Sequence, residues 1–197
     1  MIVVDIEASG VDPHKNSLVS VGAVDFADPE NQFYEECRVW EGAHIDDAAL
    51  KINGFSKEEI LSKEKQTDAD LLLKFLSWAS GCEERTIGGQ NPSTDRDFLK
   101  YTAERYRINW PFAHRTLDLH SICYFHSIRR GITPPTKNNH SSLNLDSILS
   151  YVGIGDEPKP HNGLTGAKLE AEAFSRLMYD RGLLDEFSNF KLPWINS

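Results

Sequence analysis

The chain has 197 residues, 40% of them hydrophobic and 26% charged, with 13 Gly and 9 Pro. Those proportions sit near the globular average and exclude disordered, collagen-like and coiled-coil readings, while the length suits one domain with a real core. With 21 Lys+Arg against 30 Asp+Glu the formal charge is −9, which argues against a protein that coats duplex nucleic acid by general electrostatics.

The acid is unevenly spread. Residues 1–70 carry 6 basic and 16 acidic side chains, whereas residues 71–128 carry 7 and 6, and residues 129–168 carry 5 and 3. The three cysteines, Cys37, Cys82 and Cys123, have no CxxC spacing and support neither a disulfide framework nor a zinc knuckle. Reduced thiols in a cytoplasmic protein are the plain expectation. No basic n-region or apolar h-region precedes Ile2, and no run approaches the ~18 apolar residues of a membrane span.

Ile2 to Ile6 is a β-branched apolar run that predicts a buried strand. Ser17–Phe26 and Gln32–Val39 alternate as two further strands, joined as a hairpin by the turn at Asp28-Pro29-Glu30-Asn31. Ala48, Ala49 and Ile52 suit a short helix ended by Asn53-Gly54, and Ser56-Lys57-Glu58-Glu59 is a capping box for the next. Thr67–Ser80 is a clear amphipathic helix, with Leu71, Leu72, Phe75, Leu76 and Ala79 at helical spacing. Arg85–Gly89 predicts a fourth strand, Asn91-Pro92 opens a helix, and Phe112–Leu117 predicts a fifth strand followed by a helix to about Arg130. Gly131–Ser142 reads as a Pro/Asn/Ser loop, Leu143–Val152 as a short helix and Thr165–Asp180 as a long one. Three strands first, then alternating helices and strands, predict one α/β domain with a mixed sheet.

Three short motifs carry chemistry-bearing side chains. Asp5 and Glu7 lie two apart on the first strand, so both carboxylates share a face; they serve either as a cation-binding pair or as solvated acids at a strand end. Asp95 follows Asn91 at a helix start, where an acid also simply complements the helix dipole. His161 follows Pro158 and Pro160 on a Pro-defined loop, just before the last long helix. A histidine of ordinary pKa there suits proton abstraction from water at neutral pH.

Together these segments resemble the histidine-bearing branch of the DEDD superfamily of 3′→5′ exonucleases, which includes polymerase proofreading subunits, ribonuclease T and oligoribonuclease. Asp5 and Glu7 match its Asp-x-Glu motif, followed by Ser9-Gly10; Asn91 and Asp95 match the second motif; His161 matches the third in position. The segments Ala49–Ser56, Arg115–Asp118 and Leu145–Leu149 resemble the family pattern as well, and the likeness covers residues 1–181. It implies a ribonuclease H-like fold, with a five-stranded mixed sheet whose first three strands are antiparallel, flanked by helices. Residues 182–197 remain as a tail packed on that domain or on a partner subunit, with a homodimer one possibility.

The resemblance further implies two Mg²⁺ or Mn²⁺ ions, with His161 as general base on the attacking water and the 3′ end of a single-stranded or short nucleic acid as substrate. Ser9 and Gly10 would then bring backbone N–H groups to the terminal nucleotide, Asn91 would position it, and Arg129, Arg130, Lys137 and Lys159 would meet the following phosphates. One position departs from the family. Gly166 stands where the fourth metal-binding Asp belongs. Glu170, one helical turn further on, is the expected replacement, although the ~6 Å rise over four residues exceeds the extra reach of one methylene. The alternative is a catalytically degenerate domain that binds nucleic-acid ends or a protein without cleavage. On the exonuclease reading, the overall acidity restricts the substrate to short or single-stranded ends held chiefly by the active site.

Overall fold

The computed structural model describes residues 1–195; Asn196 and Ser197, the end of the expected tail, lie outside the described residues. A central strand β1 (Ile2–Ala8) pairs antiparallel with β2 (Leu18–Asp25), which pairs antiparallel with β3 (Gln32–Glu36). On its other side β1 runs parallel to β4 (Ile87–Gly89), and β4 parallel to β5 (Thr116–Asp118), giving the order β3-β2-β1-β4-β5. The five-stranded mixed sheet with three antiparallel strands is therefore present. Helices α1 (Asp47–Asn53), α2 (Lys57–Leu61), α3 (Asp68–Ala79), α4 (Pro92–Tyr106), α5 (Leu119–Arg129), α6 (Leu145–Tyr151) and α7 (Gly163–Tyr179) surround it.

The alternation of β1 divides the core. Ile2 and Val4 face a cluster with Leu71, Leu72 and Phe75 of α3 and Phe98 and Leu99 of α4. Met1 and Val3 face the opposite cluster, with Leu119 of α5, Ile148 of α6, and Ala171 and Phe174 of α7. Each fully buried side chain of this size contributes roughly 1.5–3 kcal/mol. The same parity assigns Asp5 and Glu7 to the α7 side, because they continue the series from Met1 and Val3. A register shift between Glu7 and Ala8 bulges the end of the β1–β2 ladder beside these acids.

Capping follows the chemistry of the sequence. Ser56 and Glu59 form a capping box on α2, and Thr67 and Asp70 form another on α3. Helix α7 is buried around most of its circumference, and it lies against the sheet because two glycines let backbone meet backbone. A Cβ on Gly163 would come within 2.7 Å of the Asp5 carbonyl oxygen and 2.9 Å of the Gly22 amide nitrogen, and one on Gly22 would overlap the Gly163 backbone outright. At the far end, Glu172 and Arg176 form a fully buried pair at 2.7 Å. Glu172 also accepts from the Leu183 and Leu184 amides, and Arg176 donates to the carbonyls of Val152, Phe187 and Phe190.

Three expectations need correction. The fifth strand covers Thr116–Asp118 and not Phe112–Leu117. Phe112 instead stacks on Phe75 and Trp110 in the core, and its apolar character reflects that burial rather than a ladder position. The segment Gly131–Ser142 is not wholly loop: Thr136–Lys137 (β6) and His140–Ser141 (β7) form a hairpin, with Asn138 and Asn139 both at positive φ, the conformation a two-residue turn demands. The last helix begins at Gly163, two residues before Thr165, because the Asn162 side chain accepts from the amides of Leu164 and Thr165. Among the described residues, no helix is long and apolar enough to cross a membrane.

Candidate active site

The end of β1 supplies Asp5 and Glu7, and the elements packed around it bring further acids to the same place. Asp95, on the first turn of α4, accepts from the Ile6 amide at 3.2 Å, so α4 is pinned to β1 through the carboxylate itself. Glu170 points from the middle of α7 toward Gly89 of β4, where a Cβ would be 3.0 Å from its Oε2. It is 3% exposed, and Oε2 has no hydrogen-bond partner.

A fifth acid joins them. Glu157, in the loop before α7, is 9% exposed; its Oε2 lies 3.6 Å from His161 Nδ1, while Oε1 is buried without a partner. The Glu157 amide is anchored on Asp146 Oδ1 at 3.3 Å. The side chain of His161 remains about 30% exposed, and its backbone amide donates to the Ile52 carbonyl at the end of α1.

Gly166 lies at the junction of these groups. A Cβ built there would overlap Asp5 Oδ2 and stand 3.3 Å from Glu157 Oε1. The space a side chain at 166 would enter is thus already taken by two carboxylates from elsewhere.

The electrostatics follow from five acids in little water. Burial holds the Asp5 carboxyl well above the usual range, and the charges of Glu170, Asp95, Glu7 and Glu157 add to the effect in that order. Burial pushes Glu7 up to about 7, aided by Glu157 and Asp95 and opposed by a hydrogen bond from Asn53. Asp95 rises to about 7 by burial, against the favourable Ile6 amide. Glu170 is raised strongly, by burial and then by Asp95, although the Gln90 amide favours its charged form. Burial raises Glu157 as well, while His161 pulls the other way.

Among the described residues, no three His, Cys, Asp or Glu side chains already stand in a finished metal-holding arrangement. The donor set nonetheless fits a hard divalent cation. All the donors are carboxylate oxygens, two of them are buried and unpartnered, and their mutual repulsion is the kind a dication relieves.

Beside the acids, Gly10, Val11, Ile52, Asn53, Thr94 and Phe98 line a cleft of about 310 Å³ that reaches Glu7 and Asp95. Asn53 serves both the cleft and the site: it donates to the Ala8 carbonyl at 3.1 Å and to Glu7. A second cleft, of about 510 Å³, runs from Gln90 and Asn91 to Lys137 and His140 on the β6–β7 hairpin.

The other residues singled out in the sequence are placed differently. Gly10 borders the first cleft, but the Ser9 amide donates to the Ser17 carbonyl at 2.9 Å, and its hydroxyl is turned inward, donating to the His44 carbonyl and accepting from the Ser17 amide. Asn91 adopts a left-handed conformation before α4, its side chain caps nothing, and its amide donates to Asp118. Lys137 lines the second cleft. Arg129 and Arg130 are not brought to the acids. They lie at the end of α5 remote from Asp118, roughly 16 Å along the helix, over the rings of Phe125 and Trp194 respectively. Glu157 and Asn53 have no assignment from the sequence alone; the one local hint for Glu157 is its place four residues before His161 and directly ahead of Pro158, which does not fix how the loop folds.

The sequence profile of a family described as exonuclease matches residues 2–174. The chain is 28% identical over 177 residues to the 3′-5′ DNA exonuclease Cap18 of Escherichia coli, covering 88% of each chain. Among solved structures it superposes on the nuclease domain of 3′hExo, described as a DEDDh family member bound to rAMP, with a TM-score of 0.67, 18% identity and 93% of both chains covered. It also superposes on E. coli exonuclease I in complex with a 5cy-dT13 oligonucleotide, with a TM-score of 0.65 and 18% identity. That match takes in 89% of this chain but only 39% of the length of exonuclease I.

Proposed function

Because the chain belongs to the exonuclease family, we propose that it removes nucleotides from the 3′ end of single-stranded or short DNA or RNA, releasing nucleoside 5′-monophosphates. The observation that carries this reading is the convergence of Asp5, Glu7, Asp95 and Glu170 at the end of β1, with His161 beside them and an apolar cleft opening next to Glu7.

In this reading Asp5, Glu7, Asp95 and Glu170 hold two divalent cations, Mg²⁺ or Mn²⁺. Bound there, such ions supply activation of water and stabilisation of the leaving oxygen. The chain's own residues do the rest. The terminal nucleoside stacks into the cleft between Ile52 and Phe98, with Asn53 and the Gly10 backbone at its edge. His161 takes the proton of the attacking water through the ring nitrogen not turned toward Glu157, and its partial exposure lets that proton pass to solvent. Asn91 and Lys137 stand along the second cleft, where the preceding phosphates would run. Likeness to relatives named as 3′-5′ exonucleases supports the direction of attack. The choice between DNA and RNA depends on contacts with the 2′-hydroxyl.

A 5′-labelled oligonucleotide with Mg²⁺ or Mn²⁺ tests the proposal. The expected result is a ladder shortened from the 3′ end with mononucleotide release, abolished in Asp5→Asn and strongly slowed in His161→Ala. Binding of the oligonucleotide without release of mononucleotide in either metal would overturn it in favour of a non-cleaving end-binding domain.

A further inference from the structure

We propose that Glu157 is the carboxylate that replaces the side chain missing at Gly166, serving the Glu7–His161 side of the cation site while Glu170 serves the Asp95 side. The assignment rests on the divalent-cation reading above and adds a residue to it.

Position argues first. A side chain at 166 would start where Asp5 Oδ2 now lies and 3.3 Å from Glu157 Oε1. Glu157 therefore delivers an oxygen to within contact of the place a side chain at 166 would enter, from the loop that also carries His161. Glu170 cannot do the same without moving, because it stands a helical turn, about 6 Å, further along α7. Its oxygen instead faces Gly89.

Burial argues second. Glu157 is 9% exposed, yet its Oε1 has no hydrogen-bond donor. An oxygen withdrawn from water without a partner is costly. The cost is understandable if that atom is held ready for a cation.

The distribution of charge argues third. Among the charges acting on Glu7 the largest is that of Glu157, whereas on Asp5 it is that of Glu170. The geometry agrees: Glu170 Oε2 lies beside Gly89 of β4, whereas Glu157 Oε1 lies beside Gly166 of α7, where Asp5 Oδ2 is also found, so the two extra acids reach the cluster from different sides. The second oxygen of Glu157, 3.6 Å from His161 Nδ1, also steadies the ring. An acid on this loop can meet the cation with one oxygen and orient the base with the other, which an acid at 166 on the helix would not share.

Mn²⁺ titration by calorimetry, with free Mn²⁺ followed by electron paramagnetic resonance, tests the proposal without reference to activity. The wild-type chain is expected to take up two ions. Glu157→Gln, which keeps the shape of the side chain, should lose one of them or bind it at least ten-fold more weakly, with an unchanged circular dichroism spectrum. Adding Gly166→Asp to Glu157→Gln should restore the lost site, with the Asp5 carboxyl group and the end of the side chain at 157, the two groups a Cβ at 166 would meet, turning aside to make room. Two ions bound by Glu157→Gln at wild-type affinity would overturn the assignment while leaving the cation reading intact, provided Asp5→Asn loses both. A double variant that stays deficient would overturn the equivalence with position 166. A wild-type chain that binds no Mn²⁺ would overturn the cation reading itself, and this assignment with it.

Discussion

The gathering of acids at the end of β1 should make the cation-free protein less stable than it would be without them, and Glu7→Gln measures by how much. Glu7 is moved from its usual 4.5 to about 7 by burial and by the charges of Glu157 and Asp95. At 1.36 kcal/mol per unit, ionising it in the folded state costs at most about 3 kcal/mol. A carboxyl whose folded pKa is raised favours folding fully below pH 4.5; that contribution is lost between 4.5 and 7, and above 7 the whole penalty applies. Gln at this position is a permanent copy of the neutral form and can still accept from Asn53. Glu7→Gln should therefore raise the unfolding free energy by up to about 3 kcal/mol at pH 8 in EDTA, with the gain shrinking through pH 6 and vanishing near pH 4. Urea melts at the three pH values provide the assay. A variant no more stable than wild type at pH 8, or one whose gain persists unchanged at pH 4, would show that Glu7 is not held in a repulsive, desolvated site.

Divalent cations should act on the same balance from the other side: Mg²⁺ or Mn²⁺ in excess is expected to raise the melting temperature clearly at pH 8 and much less at pH 5, where protons compete for the same oxygens. Differential scanning fluorimetry with and without EDTA reads this, and equal shifts at both pH values would contradict it. Gly22→Ala forces a methyl group into the Gly163 backbone and must lift the start of α7 off the sheet. We expect a loss of about 1–3 kcal/mol and a fall of about 100-fold in nuclease rate, since His161 moves relative to Asp5; a variant with native stability and rate would rule out that contact. Arg176→Met leaves Glu172 buried without its cation, a change expected to cost about 3–5 kcal/mol in chemical denaturation, whereas Glu172→Gln together with Arg176→Met should recover part of it.

How much of this is readable from the chain depends on how local the rule is. Period-two alternation is local, so the shared face of Asp5 and Glu7, and its continuity with Met1 and Val3, can be read directly. The i,i+4 relation between Gly166 and Glu170 is local too, and it points Glu170 toward the right region. Capping boxes at Ser56 and Thr67 follow from adjacent residues alone. The placement of Glu157 is not local: it depends on the loop before α7 folding back over β1, which no spacing rule specifies. Ser9 shows the opposite failure. Backbone amides after an acidic pair suggest a substrate contact, but the Ser9 amide donates to the Ser17 carbonyl and its hydroxyl is taken up by His44 and Ser17, residues that come near only when the β1–β2 connection and the segment after β3 close over it. Phe112 is apolar for the sake of an aromatic stack, and Arg129 and Arg130 lie over the rings of Phe125 and Trp194. In each case tertiary contact reassigns a residue whose type alone had suggested another role.

The latch between Glu172, Arg176 and the carbonyls of Phe187 and Phe190 sets the length of chain that can be shortened without harm. The family match stops at residue 174, yet the guanidinium of Arg176 and the carboxylate of Glu172 find most of their other partners between Leu183 and Phe190. Trimming the chain to the matched segment would not merely remove an appendage. It would remove Arg176 itself and take from the buried Glu172 carboxylate the guanidinium and both amides it is paired with, toward the far end of the helix that begins beside His161. The shortest autonomous version of this domain therefore extends at least to Phe190.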